Sequence, residues 1–358
     1  MRLFVALLLF ARTQSRGHMW VPPSKMCNAW DVTRGHKVNR RAKLDLVDCQ
    51  AVHLKGLSGA DGTVVALARA LEGGKNSQVV DIAFVNVEFG DNGLVALGKM
   101  LETNVGLTTL SILADSAVGF EMAPITHRAS SAFAHGIGVH KDLTRLRLGD
   151  FVTDSVATDI AGGVAANSGI VELRISRGRF GDVGAIAFAE AFMLHPTLAH
   201  VSFEENRIGD AGAIAIAKWL STKGCRLDFL CLSHNKLTDD GALAFADAIA
   251  IAAEHRNVFS WIDLMENDIG DAGGLGLVEA VQLNSRMEQV QLDGNVMRRK
   301  TILEVQSALK HSGEDIEDGA TLELKAPPPT KAGIETKPRG PVAAGVGTGT
   351  RGFDWVEL

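Results

Sequence analysis

From Val52 to Val290 one short pattern returns nine times: an apolar-x-apolar strand signal, a turn, typically Gly-Asp-x-Gly, and an Ala-rich amphipathic stretch. Taking the first apolar residue of each strand pair as anchor gives Val52, Ile82, Leu110, Leu146, Leu173, Val201, Leu230, Ile262 and Val290, with spacings of 30, 28, 36, 27, 28, 29, 32 and 28. Self-similarity at a period near 28 means a solenoid, in which each unit packs only on its neighbours.

The clearest unit is LAHVSFEENRIGDAGAIAIAKWL, Leu198 to Leu220. Val201 and Phe203 share one face of a strand, and Ile208 fills the next inward position beyond Asn206. Ala213, Ile216, Ala217 and Leu220 follow at helical spacing. One strand and one helix cannot bury both apolar faces alone, so the units must stack. The expected fold is an α/β solenoid of about nine repeats, a horseshoe with a parallel sheet on its concave face and helices on its convex face.

Several of these segments resemble leucine-rich repeats of the ribonuclease-inhibitor type, whose pattern is LxxLxLxxNxI followed by a helix. LDFLCLSHNKLTDDGALAFADAI, Leu227 to Ile249, is a close match. Asn206, Asn235, Asn267 and Asn295 fall on the family's Asn ladder, where the side-chain amide satisfies loop backbone groups. Val87, Asp115, Phe151 and Gly178 stand at the same place in earlier units, and the 36-residue unit holding Pro124 carries an insertion. The resemblance covers roughly residues 44 to 311 and implies fold more than function. Repeats of this type commonly act as protein-binding scaffolds, which is the functional expectation it brings.

With 46% apolar residues the chain can bury a large core, and its net charge of −6 argues against a nucleic-acid surface. No stretch reaches transmembrane length. The segment from Met1 to Trp30 holds Arg2, Arg12, Arg16 and Lys25 and no acid, so against a total of −6 the remainder carries −10. Leu3 to Ala11 is long enough for the apolar region of a signal peptide, the Arg-rich continuation equally suits a transit peptide, and an unstructured extension is the third reading. The chain thus divides into an N-terminal extension (1–43), a repeat domain (44–311) and a Pro/Gly-rich tail (312–358) ending in FDWVEL, which reads as a short docking motif. A cytoplasmic location is expected, with a secretory or organellar one as the alternative. Cys27, Cys49, Cys225 and Cys231 are too few and scattered for a disulfide-stapled domain or a zinc site, and are expected as free thiols.

Catalytic patterns are missing from the sequence. Asp91, Asp154, Asp182, Asp210, Asp239 and Asp271 share one offset within their repeats, which invites a metal reading, but each immediately precedes a helical pattern and is expected to cap its own helix. Gly347, Gly349 and Gly352 satisfy GxGxxG without a strand before or a helix after. His127, His135 and His140 fall near the irregular unit and read as loop histidines. No catalytic residue, cofactor site or metal site is expected.

What remains is the concave face, where residues alternating with the buried anchors point outward and stacking brings equivalents about 4.8 Å apart. Arg145, Arg147, Arg174 and Arg177 make a basic zone, His200, Glu204 and Glu205 a mixed one, and Phe229, Cys231, Trp261, Asp263 and Met265 an aromatic and acidic one. Exposed Phe229 and Trp261 at one position of adjacent strands are the expected anchors, since aromatic and Arg residues dominate interface energetics. The leading reading is a non-enzymatic scaffold that binds a protein or peptide here. Two alternatives stand beside it. One is a GTPase-activating regulator resembling the Ran GTPase activator, with Arg177 or Arg179 as its arginine; the other is a structural subunit of a larger assembly. The oligomeric state stays open.

Overall fold

The computed structural model describes residues 26–27, 44, 46, 48–114 and 123–310. Asp115, positions 1–25, the GxGxxG match and the FDWVEL end lie outside them. Among the described residues ten parallel strands form one unclosed sheet in chain order. They are β1 (Met26–Cys27), β2 (Ala51–Leu57), β3 (Asp81–Val87), β4 (Thr109–Leu113), β5 (Arg145–Leu148), β6 (Glu172–Ile175), β7 (His200–Ser202), β8 (Phe229–Cys231), β9 (Trp261–Asp263) and β10 (Gln289–Gln291). From β2 on, each strand leads into a helix: α1 (Asp61–Leu71), α2 (Asp91–Thr103), α3 (His127–Val139), α4 (Asp154–Ala166), α5 (Asp182–Phe192), α6 (Asp210–Leu220), α7 (Asp239–Glu254), α8 (Asp271–Leu283) and α9 (Arg299–Lys310).

This is the expected solenoid, and the strand register is the one read from the sequence. The nine anchors from Val52 to Val290 stand opposite one another on successive strands and are all buried. Helices are about 10 Å across and strands about 4.8 Å apart, so the stack bends toward its sheet side. At mid-chain the space between sheet and helices is filled by rings: Phe203 lies 5.2 Å from Phe180 and 5.1 Å from Phe188, and Phe192 meets Trp219 at 4.7 Å.

The aspartates do not cap their own helices. Each is the first helical residue, preceded by a Gly or Thr cap position without a side-chain cap bond, and its carboxylate reaches the next repeat. Asp182 Oδ1 accepts from the backbone N–H groups of Gly209 (2.8 Å) and Gly212 (2.9 Å) at the start of α6. Asp61, Asp154 and Asp239 do the same for the helices that follow them. Asp91 takes the N–H and hydroxyl of Thr126, Asp210 those of Thr238 plus the N–H of Gly241, and Asp271 the N–H of Arg298. The second glycine of Gly-Asp-x-Gly makes room for this bond. A Cβ on Gly212 would stand 2.9 Å from the Asp182 carboxylate and 2.8 Å from both Ala185 and Ile208.

Two Asn ladders run parallel to it. Asn206, Asn235, Asn267 and Asn295 donate to carbonyls of their own and the preceding strand, as expected; Asn235, for instance, donates to Phe203 and Leu232 while its Oδ1 accepts from Ile208. The second ladder, unforeseen, sits beyond the helix ends. Asn104, Asn167 and Asn257 donate to last-turn carbonyls of the helix one repeat back, Leu71, Ile137 and Leu220, and Asn284 donates to Ile249, further inside α7. His140 lies in the connection after α3, as a loop histidine would, but is buried there and accepts the Leu143 N–H; His127 and His135 lie in α3 instead. Burial outweighs Asp142 and lowers the His140 pKa.

Between α2, α3 and α4 the backbones touch. A Cβ on Gly136 would stand 2.3 Å from the Gly98 carbonyl oxygen, and one on Gly163 2.3 Å from that of Ala134. At the N-terminal end, Cys27 and Cys49 form a disulfide that ties β1 to the start of β2, so only Cys225 and Cys231 are free thiols among the four. Linear spacing gives no reason to pair these two cysteines across a segment without a strand pattern.

The carboxylate bridges lead to a directional test. Asp210→Ala should cost about 0.5–2 kcal/mol and speed amide hydrogen exchange in the first turn of α7, at Thr238 and Gly241, while leaving Gly209 and Gly212 as they were. Faster exchange at the start of α6 instead would restore the self-capping role. Gly136→Ala should lower stability by roughly 1–3 kcal/mol or more, because the obstruction is backbone and cannot rotate away; a thermal melt unchanged by the substitution would contradict the close approach.

Candidate functional site

On each strand the residues flanking the anchor point away from the helices. Across β3 and β4 these are Asp81, Ala83, Thr109 and Ser111, small and buried. From β5 to β9 most are large and half-buried, with Glu172 and the smaller Ser202 and Cys231 buried. One row runs Arg145, Glu172, His200, Phe229 and Trp261; the other runs Arg147, Arg174, Ser202, Cys231 and Asp263. Every residue of the expected basic and aromatic zones on these strands therefore lies on one face in the expected order.

The basic zone contains a carboxylate that the sequence reading passed over. Glu172, 10% exposed, binds Arg174 Nε at 2.7 Å and Arg147 Nη2 at 2.9 Å, with Arg145 Nε at 3.7 Å; the three arginine side chains are 23–30% exposed. Burial alone would raise the Glu172 carboxyl, but Arg174, Arg147 and Arg145 together hold it below its ordinary value. The cluster is fixed in place, as pairs removed from bulk solvent are when donors meet acceptors directly. Arg177 stands apart on the rim, in a left-handed backbone (φ 59°), with Nε 3.1 Å from Glu205 Oε2. That rim position is left-handed in four successive repeats: Arg177, Glu205, His234 and Glu266.

Phe229 and Trp261 are half-buried rather than fully exposed, because they lie against each other. Their ring centroids are 5.9 Å apart, and the His200 ring lies 6.4 Å from Phe229. Burial lowers the His200 pKa, against the pull of Glu172 and Asp228, which favours a neutral imidazole beside the rings. Cys231, expected on an exposed strand position, is buried; its thiol pKa is pushed up by burial, with Asp263 adding to it. Asp263 accepts the Met265 N–H at 3.0 Å, and the Cys231 thiol lies 3.5 Å from its other oxygen. Burial first, then Glu205, raises the pKa of Glu204. Glu204 and Met265 thus occupy the rim of the face, half-buried, beside Asp263.

The helical side holds one arrangement with catalytic residue types. Asp159 lies 2.8 Å from His127 Nδ1 and accepts from Ser130 and Ser131, next to a groove of about 240 Å³ lined by Ser131, His135 and Gly162. Ser131 Oγ is 3.5 Å from both ring nitrogens, alongside the ring and in line with neither, and the His127 side chain is 75% exposed. Nucleophilic catalysis needs a base aligned with the hydroxyl and N–H donors for the oxyanion. Mid-helix backbone spends its N–H groups on the helix. Among the described residues no three His, Cys, Asp or Glu side chains group to hold a metal ion, and no helix is long and apolar enough to cross a membrane.

A leucine-rich-repeat family model matches residues 195–217, 229–246 and 262–278, the repeats that carry the aromatic row. These three segments match leucine-rich repeats in sequence, and the sheet-and-helix solenoid they belong to is consistent with that fold. No curated protein shows a significant match. Among solved structures the chain is similar to the actin-binding site 2 of leiomodin-1, at 17% identity over 37% of this chain and 73% of that one, with a TM-score of 0.31. That superposition is too loose to bear on what this chain does.

Asp263 gives the face a measurable pH dependence. Its carboxyl is pushed up to about 6 from 3.8, chiefly by burial, with the Met265 N–H and the Cys231 thiol acting against the rise. Between those values the folded chain holds a proton that the unfolded chain has released, so this group's contribution is full at low pH and is lost as pH rises through about 6. Asp263→Asn should therefore gain stability relative to the parent as pH goes from about 4 to about 7. Denaturant titrations at both ends check this; a difference that stays flat or runs the other way contradicts it.

Proposed function

We propose that the protein is a non-enzymatic protein-binding module built from repeats of the ribonuclease-inhibitor type, and that it docks a protein or peptide on the sheet face of β5 to β9. The repeat type is supported by anchor spacings of 27, 28, 29, 32 and 28 from β5 to β10, each unit with a full α-helix. One observation carries the docking reading: the outward row His200, Phe229, Trp261 places large half-buried rings on strands whose anchors, Val201, Leu230 and Ile262, are fully buried. Rings in that position add little to the core and offer rigid apolar area at low entropic cost. The flanking residues Arg145, Arg147, Arg174, Arg177, Glu204 and Asp263 supply the polar rim such a surface needs, and Met265 adds apolar area beside Asp263.

We propose further that the protein works in an oxidising compartment, in line with the secretory or organellar reading of the stretch from Met1 to Trp30. The Cys27–Cys49 bridge supports this, because such bonds persist where thiols are not kept reduced. Intact mass of the protein from its native source, with free thiols alkylated before reduction, tests the point. Two alkylated cysteines fit the proposal and four contradict it.

The docking face is tested by photo-crosslinking in the native source from a benzoylphenylalanine placed at position 229, with position 218 on α6 as the helical-side control. Crosslinks should come from 229. For a partner found this way, Trp261→Ala should weaken binding tenfold or more, about 1.4 kcal/mol, and leave the thermal melt within about 2 °C of the parent. Unfolding by Trp261→Ala, or crosslinks from 218 alone, would overturn the reading.

A further inference from the structure

We infer that the sheet face receives an extended polypeptide segment carrying a carboxylate side chain about four residues from an aromatic or large aliphatic one, the acid over β5 and β6 and the apolar group over β8 and β9. This rests on the docking face proposed above and gives its occupant a chemistry and a spacing.

The charge distribution orients the segment. On β5 and β6 the outward residues flanking the anchors are three arginines and one glutamate, so positive charge exceeds negative there. Glu172 holds the three guanidinium groups side by side, a geometry that suits a second carboxylate better than a point cation would. At the other end Asp263 and Glu204 border the rings, and their carboxyls are already raised by burial, Glu204 with Glu205 as an added cause. An acid placed on that side would meet like charge in a poorly solvated site, whereas an apolar side chain would cover Phe229 and Trp261 without penalty. Reversed binding is therefore disfavoured from both ends.

The span sets the spacing. The middle of the arginine cluster lies between β5 and β6 and the middle of the ring pair between β8 and β9, three strand intervals apart in the sheet order. At about 4.8 Å per interval that is about 14 Å, which an extended chain rising about 3.3 Å per residue crosses in about four residues. On β7 between them lie the His200 ring and the small Ser202, and the intervening residues of the segment cross there.

The test is a selection of random 12-residue peptides displayed on phage against the immobilised full chain, followed by anisotropy titration of the enriched peptides. Enriched peptides should carry Asp or Glu three to five residues from Trp, Phe or Leu. Moving the acid to two residues from the apolar group should weaken binding about tenfold, and this comparison needs no protein variant. Trp261→Ala and Arg145→Glu should each weaken the parent peptide about tenfold; Arg145 is the arginine farthest from Glu172, so its replacement disturbs the cluster least. Peptides that depend on Trp261 but tolerate Arg145→Glu and any spacing would overturn the inference and leave the docking face standing. Peptides indifferent to Trp261, or no enrichment at all, would overturn both.

Discussion

The stack depends on a carboxylate that belongs to one repeat and is used by the next. A helix start leaves N–H groups without partners, and a side-chain oxygen within the same repeat is the usual remedy. Here the remedy comes from the neighbour: Asp61, Asp154, Asp182 and Asp239 each accept the N–H of the following cap residue and of the third helical residue. An isolated repeat would keep its acid and lose the bonds to its helix start. Since the two Asn ladders also cross repeat boundaries, polar satisfaction, like apolar burial, is a property of adjacent pairs. This is the nearest-neighbour coupling that makes such arrays fold as a row.

One boundary lacks the carboxylate bridge and shows what can replace it. The first residue of α3 is His127, so no aspartate reaches the start of α4 from that position, and His127 instead pairs sideways with Asp159. At this same boundary the Gly163 backbone meets the carbonyl of Ala134, and one boundary earlier Gly136 meets Gly98. Helices separated only by glycine sit at the near end of the usual 8–10 Å range. The arginine strand β5 leads into α4, one of the helices in this close approach.

The sequence carried the register, and with it the face, because period-two alternation leaves only one way to bury Val201, Leu230 and Ile262 together. It carried the Asn ladder because Asn206, Asn235, Asn267 and Asn295 recur beside a turn. The aspartate role was not legible for a definite reason: a residue at the head of its own helix is, one repeat along, equally near the head of the next, and linear spacing does not separate the two. Glu172 was legible and missed. It occupies the same flanking position as His200, Phe229 and Trp261, and applying that rule to the sixth strand would have found it. Cys27 and Cys49 gave no signal, since β1 is a two-residue strand and has no alternation to read. The helix-end Asn residues escaped because each lies after its helix, where Asn is common for local reasons.

The rim shows how firmly the face is held. Arg177, Glu205, His234 and Glu266 adopt left-handed backbone at one turn position in four successive repeats, a conformation that costs a non-glycine residue of order 1 kcal/mol or more. In the last three of these repeats the very next residue is the ladder Asn, whose amide donates to the carbonyls of its own strand end, and the bend that exposes those carbonyls is the bend that needs positive φ. The conformation does not require a ladder Asn, since Arg177 and Asn86 adopt it at the same offset from their anchors with Gly178 and Val87 next in sequence. Gly294 takes the same position in the final repeat with no side chain at all, so the backbone demands the conformation and the charged residues are additions to it. Because the backbone sets the turn, the side chains at this position can differ from repeat to repeat without disturbing the fold. Arg, Glu, His and Glu follow one another along one edge of the sheet face by that freedom.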